Sequence, residues 1–396
     1  MSKARAKQEE PDKIAIIDIG SNSVRMVVFQ TSPASGNEGY RIQPVKNTKK
    51  ICELGKLTPK GKIAKKNSDK ALKALKDFAR YLEKNQIREV IPVATAAARH
   101  AKNGEAFIQK AQKSLGRKID VLDAEQEAGM AALGVIQAHQ QEESPLDKID
   151  GIVADLGGGS LELARIKGPE IEKGISLKLG TLIMDSAQNS QEVIDQQLGT
   201  LDSPFRNTPG LYVIGGSWRA IRKTWELEEG LEDSGKDAQN SEETHLKSVP
   251  SSALKKHLEY ILDLQTDPDD LNEKQRTNIP YKLRPESADI HNRYPDLSAN
   301  RANKIFNAAR LLVTLIEKSG AQNTIFVESG LREGLVYKHL ARSGLSRMAD
   351  SHFIRLSEDS PSHHKENVTD NDNDAGALHD RKTHQGLRTG NPDPFK

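Results

Sequence analysis

The chain has 396 residues, 36% of them hydrophobic and 29% charged, with a formal net charge of +2. That length allows roughly two to three domains; the near-neutral balance singles out no partner, and the lone cysteine, Cys52, excludes an intrachain disulfide. No apolar run approaches the roughly 18 residues of a membrane span and the polar start has no signal-peptide apolar core, so a cytoplasmic protein is expected.

Residues 1–12 read as a disordered lead-in. Apolar runs over 14–19 and 24–30 predict two strands joined by the turn Gly20-Ser21-Asn22-Ser23. A Ser/Pro/Gly/Asn loop is expected over 32–39. Eleven lysines then fall between Lys46 and Lys76, against only Glu53 and Asp69. Such a run is ordinarily a solvated helix face and loop; the sharper reading is a landing strip for a polyanion. Cys52 lies in this run with no histidine nearby, so it is not expected to be a nucleophile.

Leu72, Leu75, Phe78, Ala79 and Leu82 recur at helical spacing and predict a helix over 69–85. A strand follows at 89–94, then the small-residue run Ala94 to Ala98 ending in Arg99. Asn103 is placed to cap a helix over 104–114, and 119–122 forms a short strand. Asp123 and Gln126 have capping-box spacing, so a helix starts at Ala124 and runs to about His139. Glu125 and Glu127 fall in its first turn, where acidic residues commonly offset the helix dipole. Glu127, however, borders an apolar face made by Ala128, Ala131, Ala132 and Val135.

The polar stretch 140–148 reads as an interdomain hinge. Residues 152–163 then repeat the opening pattern: an apolar run ending in Asp155, the turn Gly157-Gly158-Gly159-Ser160, and a returning run with Glu162. A strand at 211–214 enters the Gly215-Gly216 turn and a helix over 218–227. Residues 228–250 read as a loop, 254–264 and 301–318 as amphipathic helices, the second stopped by Gly320. A last strand at 325–328 and a helix to about Ser343 close the fold. This divides the chain into a lead-in (1–12), domain I (13–140), domain II (141–343) and a disordered polar tail (344–396).

The repeated Asp-x-Gly hairpin, at Asp18 and again at Asp155, is the strongest signal. Glycine lets the backbone come close to a ligand, and successive N–H groups in such a turn make an anion nest. Two hairpins facing each other would hold a phosphate chain between them.

In order, Asp18-Ile-Gly-Ser-Asn-Ser23, Ala94-Thr-Ala-Ala-Ala-Arg99, Glu127-Ala128, Asp155-Leu-Gly-Gly-Gly-Ser-Leu-Glu162, Gly215-Gly216 and Gly330-Leu-Arg-Glu-Gly334 resemble the exopolyphosphatase / guanosine pentaphosphate phosphohydrolase family, of the acetate-kinase, sugar-kinase, Hsp70 and actin superfold. The resemblance covers about residues 13–343. It implies an α/β fold of two ribonuclease-H-like domains, with the active site in the cleft between them. It also implies that Glu127 assists the attacking water and that Asp155 and Glu162 are linked to a metal. By the same resemblance Gly20, Ser21, Asn22, Ser23, Gly157, Gly158, Gly159 and Ser160 bind phosphate, with Arg25, Gly215 and Gly216 beside them. Longer members carry a helical domain with His-Asp motifs after the second domain. Here an Asn/Asp-rich stretch follows, so His363-His364 and His379-Asp380 are read as tail histidines.

Cleaving a phosphoanhydride needs charge neutralisation, an in-line water and a group to orient it. Asp18, Asp155 and Glu162 offer hard oxygen ligands for Mg²⁺ or another divalent ion. Arg99 is a candidate bidentate clamp on phosphate, or else a salt-bridge partner of a nearby helix. Like charge from a phosphate chain would raise the Glu127 pKa, which suits a general base. The expected activity is therefore an exopolyphosphatase acting on inorganic polyphosphate, with guanosine pentaphosphate (pppGpp) as the alternative substrate. A kinase or ATPase would need a fuller adenosine pocket around Gly215. A catalytically idle polyphosphate-binding protein is disfavoured by the intact Glu127, Asp155 and Glu162. No membrane and no specific nucleic acid are expected as partners, and a homodimer is left open.

Overall fold

Continuous apolar runs build the centre of two sheets. In the computed structural model, the described residues are 13–33, 40–142, 148–187, 189–231, 246–272, 279–280 and 283–343. All of them lie in one compact unit, residues 1–357; the second unit, 358–396, lies outside them. The expectations for 1–12, 34–39, 143–147, 232–245 and 344–396, tail histidines included, likewise fall outside the described residues.

The first sheet contains β1 (Lys13–Ile19), β2 (Ser23–Pro33), β3 (Tyr40–Ile51), β4 (Glu89–Ala94) and β5 (Asp120–Val121), in the order β3-β2-β1-β4-β5. In β1, Ile14, Ala15, Ile16 and Ile17 are all fully buried. Both faces of that strand are covered, which is why its sequence runs apolar rather than alternating. The second sheet contains β6 (Asp150–Leu156), β7 (Leu161–Lys167), β8 (Glu170–Leu177), β9 (Gly210–Ile214), β10 (Leu246–Pro250) and β11 (Asn323–Val327). Its order is β10-β11-β9-β6-β7-β8. With the antiparallel edge strand β10 set aside, the two sheets have the same topology: two hairpin strands on one side of the first strand and parallel strands on the other.

Helices α1 (Lys65–Lys84) and α3 (Gly104–Leu115) pack on the first sheet, and the short α2 (Ala96–His100) follows β4. The helices α5 (Thr181–Met184), α6 (Ser190–Gly199), α7 (Gly216–Glu228), α8 (Ser251–Asp263), α9 (Ala288–Arg293) and α10 (Ala299–Ser319) belong to the second half, with α10 as its hub. Trp218 is fully buried there and donates its indole N–H to the Ala308 carbonyl at 3.0 Å.

Two helices cross from one half to the other. Helix α4 (Ala124–Gln141) starts well before position 140, yet its Ala128, Ala131, Ala132 and Val135 pack with Val153, Ala164 and Ile166 of the second sheet. The last helix, α11 (Leu331–Arg342), packs Leu335, Val336 and Leu340 against Ile14, Ile16 and Phe29 of the first. The packing therefore does not divide at 140/141. The two helices cross at glycines: a Cβ on Gly334 would sit 1.9 Å from the Met130 carbonyl, and one on Gly134 would sit 2.4 Å from that of Gly330.

Several sequence expectations are corrected. Residues 40–51 form a strand that the lysine run concealed; Lys46, Lys49 and Lys50 sit on this edge, where charged residues discourage pairing with other chains. Strand β8 and helices α6 and α9 lack a strong apolar period and went unseen. Part of the expected 228–250 loop is β10, paired antiparallel with β11. Helix α1 begins at Lys65, four residues early. Asn103 holds the N-cap position of α3, but its side chain instead pairs with the Ile63 N–H and carbonyl, at 2.8 and 3.2 Å. The Asp123/Gln126 capping box is formed, and Gly320 ends α10 at φ 64°.

Candidate active site

The two hairpin turns are built alike. Gly20 N–H donates to the Ser23 carbonyl and Gly157 N–H to that of Ser160, each at 3.0 Å. Two further carbonyls of each turn are tied by the segment after the third strand. In the first half, Gly55 N–H donates to Ser21 O at 2.8 Å, and the N–H groups of Cys52 and Glu53 to Asn22 O. In the second, Thr181 N–H donates to Gly157 O and Leu182 N–H to Gly158 O. The N–H groups of Ser21, Asn22, Gly158 and Gly159 have no acceptor among the described residues. With carbonyls tethered and N–H groups free, the turns are suited to an anion.

Glycine also allows the turns to meet. A Cβ on Gly158 would lie 2.8 Å from Asn22 Cβ, and one on Gly159 would lie 2.3 Å from Ser21 Oγ. The Gly215-Gly216 turn completes this rim. Gly215 has φ 131°, and a Cβ there would lie 2.7 Å from the Leu156 carbonyl.

Around the turns is a cleft of about 270 Å³. Four carboxylates line it: Asp18, Glu127, Asp155 and Glu162. Asp18 and Asp155 end equivalent strands, and Asp155 and Glu162 are cross-strand partners. Cross-strand partners project from the same face of a sheet. Glu127 is 7% exposed and Glu162 is 3% exposed. Burial pushes Glu127 up to about 7, and Asp18 and Asp155 push the same way, while Arg99 pulls it down. Asp155 is pushed up to about 6 by burial, with Asp18 adding to it despite Arg332. Glu162 is raised well above the usual carboxylate range by burial and by Glu127 and Asp155, although Ser160 and Ser176 hydrogen-bond it.

Arg99 does not line the cleft. Its Nη1 donates to Glu127 Oε2 at 3.0 Å and to the Leu122 carbonyl at 2.6 Å, so α2 holds the carboxylate of α4 from behind. Of the two sequence readings of Arg99, phosphate clamp or salt bridge to a nearby helix, the ligand-free contacts show the salt bridge, to Glu127 of α4. Asp18 is likewise engaged, accepting from Arg332 Nη1 at 3.1 Å.

The charges of this set fit a divalent cation. Asp155 raises the pKa of both Glu127 and Glu162, Glu127 raises that of Glu162, and Asp18 adds to Glu127 and Asp155, so a positive ion beside them would relieve that repulsion. Among the described residues no three His, Cys, Asp or Glu side chains converge into a ligand set of their own. Magnesium suits such a place because it takes one or two carboxylates and fills its shell with water and substrate phosphate.

Six cations line the same cleft: Arg25, Lys49, Arg219, Arg301, Lys304 and Arg332. Only Arg25 was expected as a site residue. Arg332 lies inside the Gly330–Gly334 motif, where its charge is the sequence signal of a site role. Lys49 is the one member of the lysine run that reaches the cleft. Arg219, Arg301 and Lys304 come from α7 and α10, and no local pattern marks them. Lys65, by contrast, pairs with Asp69 on the outside.

Comparison with known proteins agrees with this geometry. Residues 27–343 match the Ppx/GppA phosphatase family. Exopolyphosphatase 1 of Mycobacterium tuberculosis is 28% identical over 169 residues, which are 42% of this chain and 46% of that protein. A guanosine-5'-triphosphate,3'-diphosphate pyrophosphatase of Photobacterium profundum is 25% identical over 337 residues, 83% of this chain and 59% of its own length. The chain thus spans about half the length of the curated relatives it matches. The crystal structure of the Aquifex aeolicus member of the Ppx/GppA family superposes with TM-score 0.61 at 21% identity, covering 84% of this chain and 98% of that one. The fold is thereby that of two actin-like α/β halves. Among the described residues no helix is long and apolar enough to cross a membrane.

Proposed function

The chain belongs to the Ppx/GppA phosphatase family, and from the charge of its cleft we propose that it is an exopolyphosphatase, hydrolysing the terminal phosphoanhydride bond of inorganic polyphosphate. One observation carries the choice of substrate. Six cations line the cleft, its only branched apolar side chains are Leu156, Ile214 and Leu331, and no aromatic ring lines it among the described residues. A nucleobase is ordinarily held by apolar or aromatic surface with a few placed polar groups. A linear polyanion needs cations and N–H donors along its length, and these are what the cleft offers.

In this reading the free N–H groups of the two turns hold the terminal phosphoryl group. Glu127 removes a proton from the attacking water, the bond from the terminal phosphorus to its bridging oxygen breaks, and the shortened chain leaves with the electron pair. A base with pKa about 7 is matched to work near neutrality. Arg99 fixes the direction of that carboxylate. Arg25 and Arg332 counter the charge that builds on the phosphoryl oxygens. Asp155 and Glu162 would hold a divalent ion, which supplies further charge neutralisation when bound.

Hydrolysis of guanosine pentaphosphate is the second reading. The Photobacterium relative supports it, because that match spans 83% of this chain. Phosphate release from long-chain polyphosphate and from guanosine pentaphosphate, assayed side by side, decides between them. The proposal expects a higher kcat/KM on polyphosphate, and a preference for the nucleotide would reverse it.

A further inference from the structure

Lys304 is a cation in the cleft that neither hairpin supplies. It is 7% exposed, and its ammonium makes no hydrogen bond or ion pair among the described residues. Its nitrogen is nevertheless not among the fully enclosed unpartnered atoms, and the residue lines the cleft. Asp185 is the nearest countercharge in effect, but Asp185 is held by Arg284 at 3.4 Å and Asn307 at 3.2 Å. A buried charge without a partner is costly. Here that cost is borne in the second turn of a 21-residue helix, with no acidic residue in its first turn, and that end of a helix attracts anions.

Its electrostatic surroundings differ from those of the cleft carboxylates. The charges that chiefly act on Lys304 are Asp185, Lys56, Glu53 and Arg284, and none of Glu127, Asp155 and Glu162 is among them. Toward the cleft, Lys304 is one of the like charges, with Arg25, Arg301 and Arg332, that press on Lys49. Lys304 and Lys49 come from opposite halves, from α10 and from β3. An anion between them would touch both halves at once.

We propose that Lys304, with Lys49 opposite, forms a second phosphate subsite that binds a phosphate of the chain on the leaving side of the scissile bond. The inference rests on the exopolyphosphatase reading and sharpens it, because the subsite selects substrates that place a phosphate there. Binding would take the trailing chain along the first turns of α10. It would also supply the countercharge that Lys304 lacks in the ligand-free fold.

The test compares wild type, Lys304→Met and Lys304→Arg by calorimetric titration with long-chain inorganic polyphosphate in chelator, so that binding is read apart from turnover. Lys304→Met is expected to weaken binding by about tenfold or more and to lower the slope of log affinity against log salt by about one charge, while Lys304→Arg keeps most of the affinity. Lys304→Met is also expected to melt at a higher temperature than wild type, since an unpaired buried charge is replaced by an apolar chain. Unchanged affinity in Lys304→Met overturns the proposal. So does weaker binding together with a lower melting temperature in both variants, which is the mark of a merely structural lysine. A wild type that binds polyphosphate with this Lys304 dependence, but releases no phosphate from it once divalent ions are restored, leaves the subsite standing and removes the exopolyphosphatase reading.

Discussion

The two hairpins share a backbone and differ in the charge of one cross-strand side chain. Each begins with an Asp at a strand end, closes its turn with the same 3.0 Å bond and has its carbonyls tied back by the segment after the third strand. Across the strand, Asp18 faces Arg25 while Asp155 faces Glu162. The repeated fold therefore yields two anion nests of opposite character. The first is flanked by Arg25 and Arg332 and presents positive charge to the cleft. The second gathers Asp155 and Glu162 under Glu127, and the buried negative charge fits a cation. A duplicated frame fixes where the backbone donors are; the residue seven positions after each Asp decides which charge each half adds.

The largest way to break this arrangement is to remove Glu127, the proposed base. Glu127→Gln should lower kcat by roughly 10²–10⁴-fold, the range of a general base, with KM little changed. Glu125→Gln, on the same turn, serves as the control and should stay near wild type. Loss of turnover in Glu125→Gln with Glu127→Gln intact would assign the base to the wrong residue.

Next come the side chains that distinguish the hairpins. Arg25→Gln removes a charged contact of about 1.5–3 kcal/mol, so kcat/KM should fall roughly 10- to 100-fold with no change in the divalent ion needed for half activity. Glu162→Gln should do the reverse, raising that ion requirement. Its stability effect has a definite sign. A carboxylate whose pKa is raised by folding contributes fully below its unfolded value, near 4.3, and that contribution is lost as pH rises through the folded value. Ligand-free Glu162→Gln should thus gain melting temperature over wild type at pH 8 and show no gain at pH 4, measured by thermal unfolding at both. An equal gain at both pH values would mean that burial of charge is not the reason.

The smallest expected effect concerns the lysine run. Changing Lys60, Lys62, Lys65 and Lys66 together to Gln should alter KM for long polyphosphate by less than about twofold, because none of the four lines the cleft. A large rise in KM would restore the run as a substrate track and would argue against a path along α10.

That run shows where sequence reading stops. The Asp-x-Gly turns were legible because their signal is local: an apolar strand, a carboxylate at its end and small residues in the turn. The Asp123/Gln126 capping box fixed the start of α4 and so put Glu127 within one turn of its position. Charge density in sequence, by contrast, did not report charge in space. Eleven lysines stand between positions 46 and 76, and one of them reaches the cleft. Lys304 reaches it from a helix whose apolar pattern only said that it packs. For Arg99 the sequence leaves phosphate and a helix salt bridge both open, because its partner lies 28 residues away and only the fold shows Glu127 within 3.0 Å. The exchange of α4 and α11 was also hidden, since Gly134 and Gly334 look like ordinary helix interruptions until their backbones are seen to touch.

The central claim is that Glu127, held by Arg99 among carboxylates from both hairpins, is the base. The pH dependence of kcat/KM in wild type and Arg99→Gln tests it most directly. Burial, Asp18 and Asp155 put Glu127 at about 7 against the pull of Arg99, so wild-type activity should fall tenfold per pH unit on the acid side of that value. Arg99→Gln should shift this limb to higher pH, because the group that lowers the Glu127 pKa is gone. An acid limb at the usual carboxylate pKa near 4.3, or one that Arg99→Gln leaves in place, would contradict the assignment.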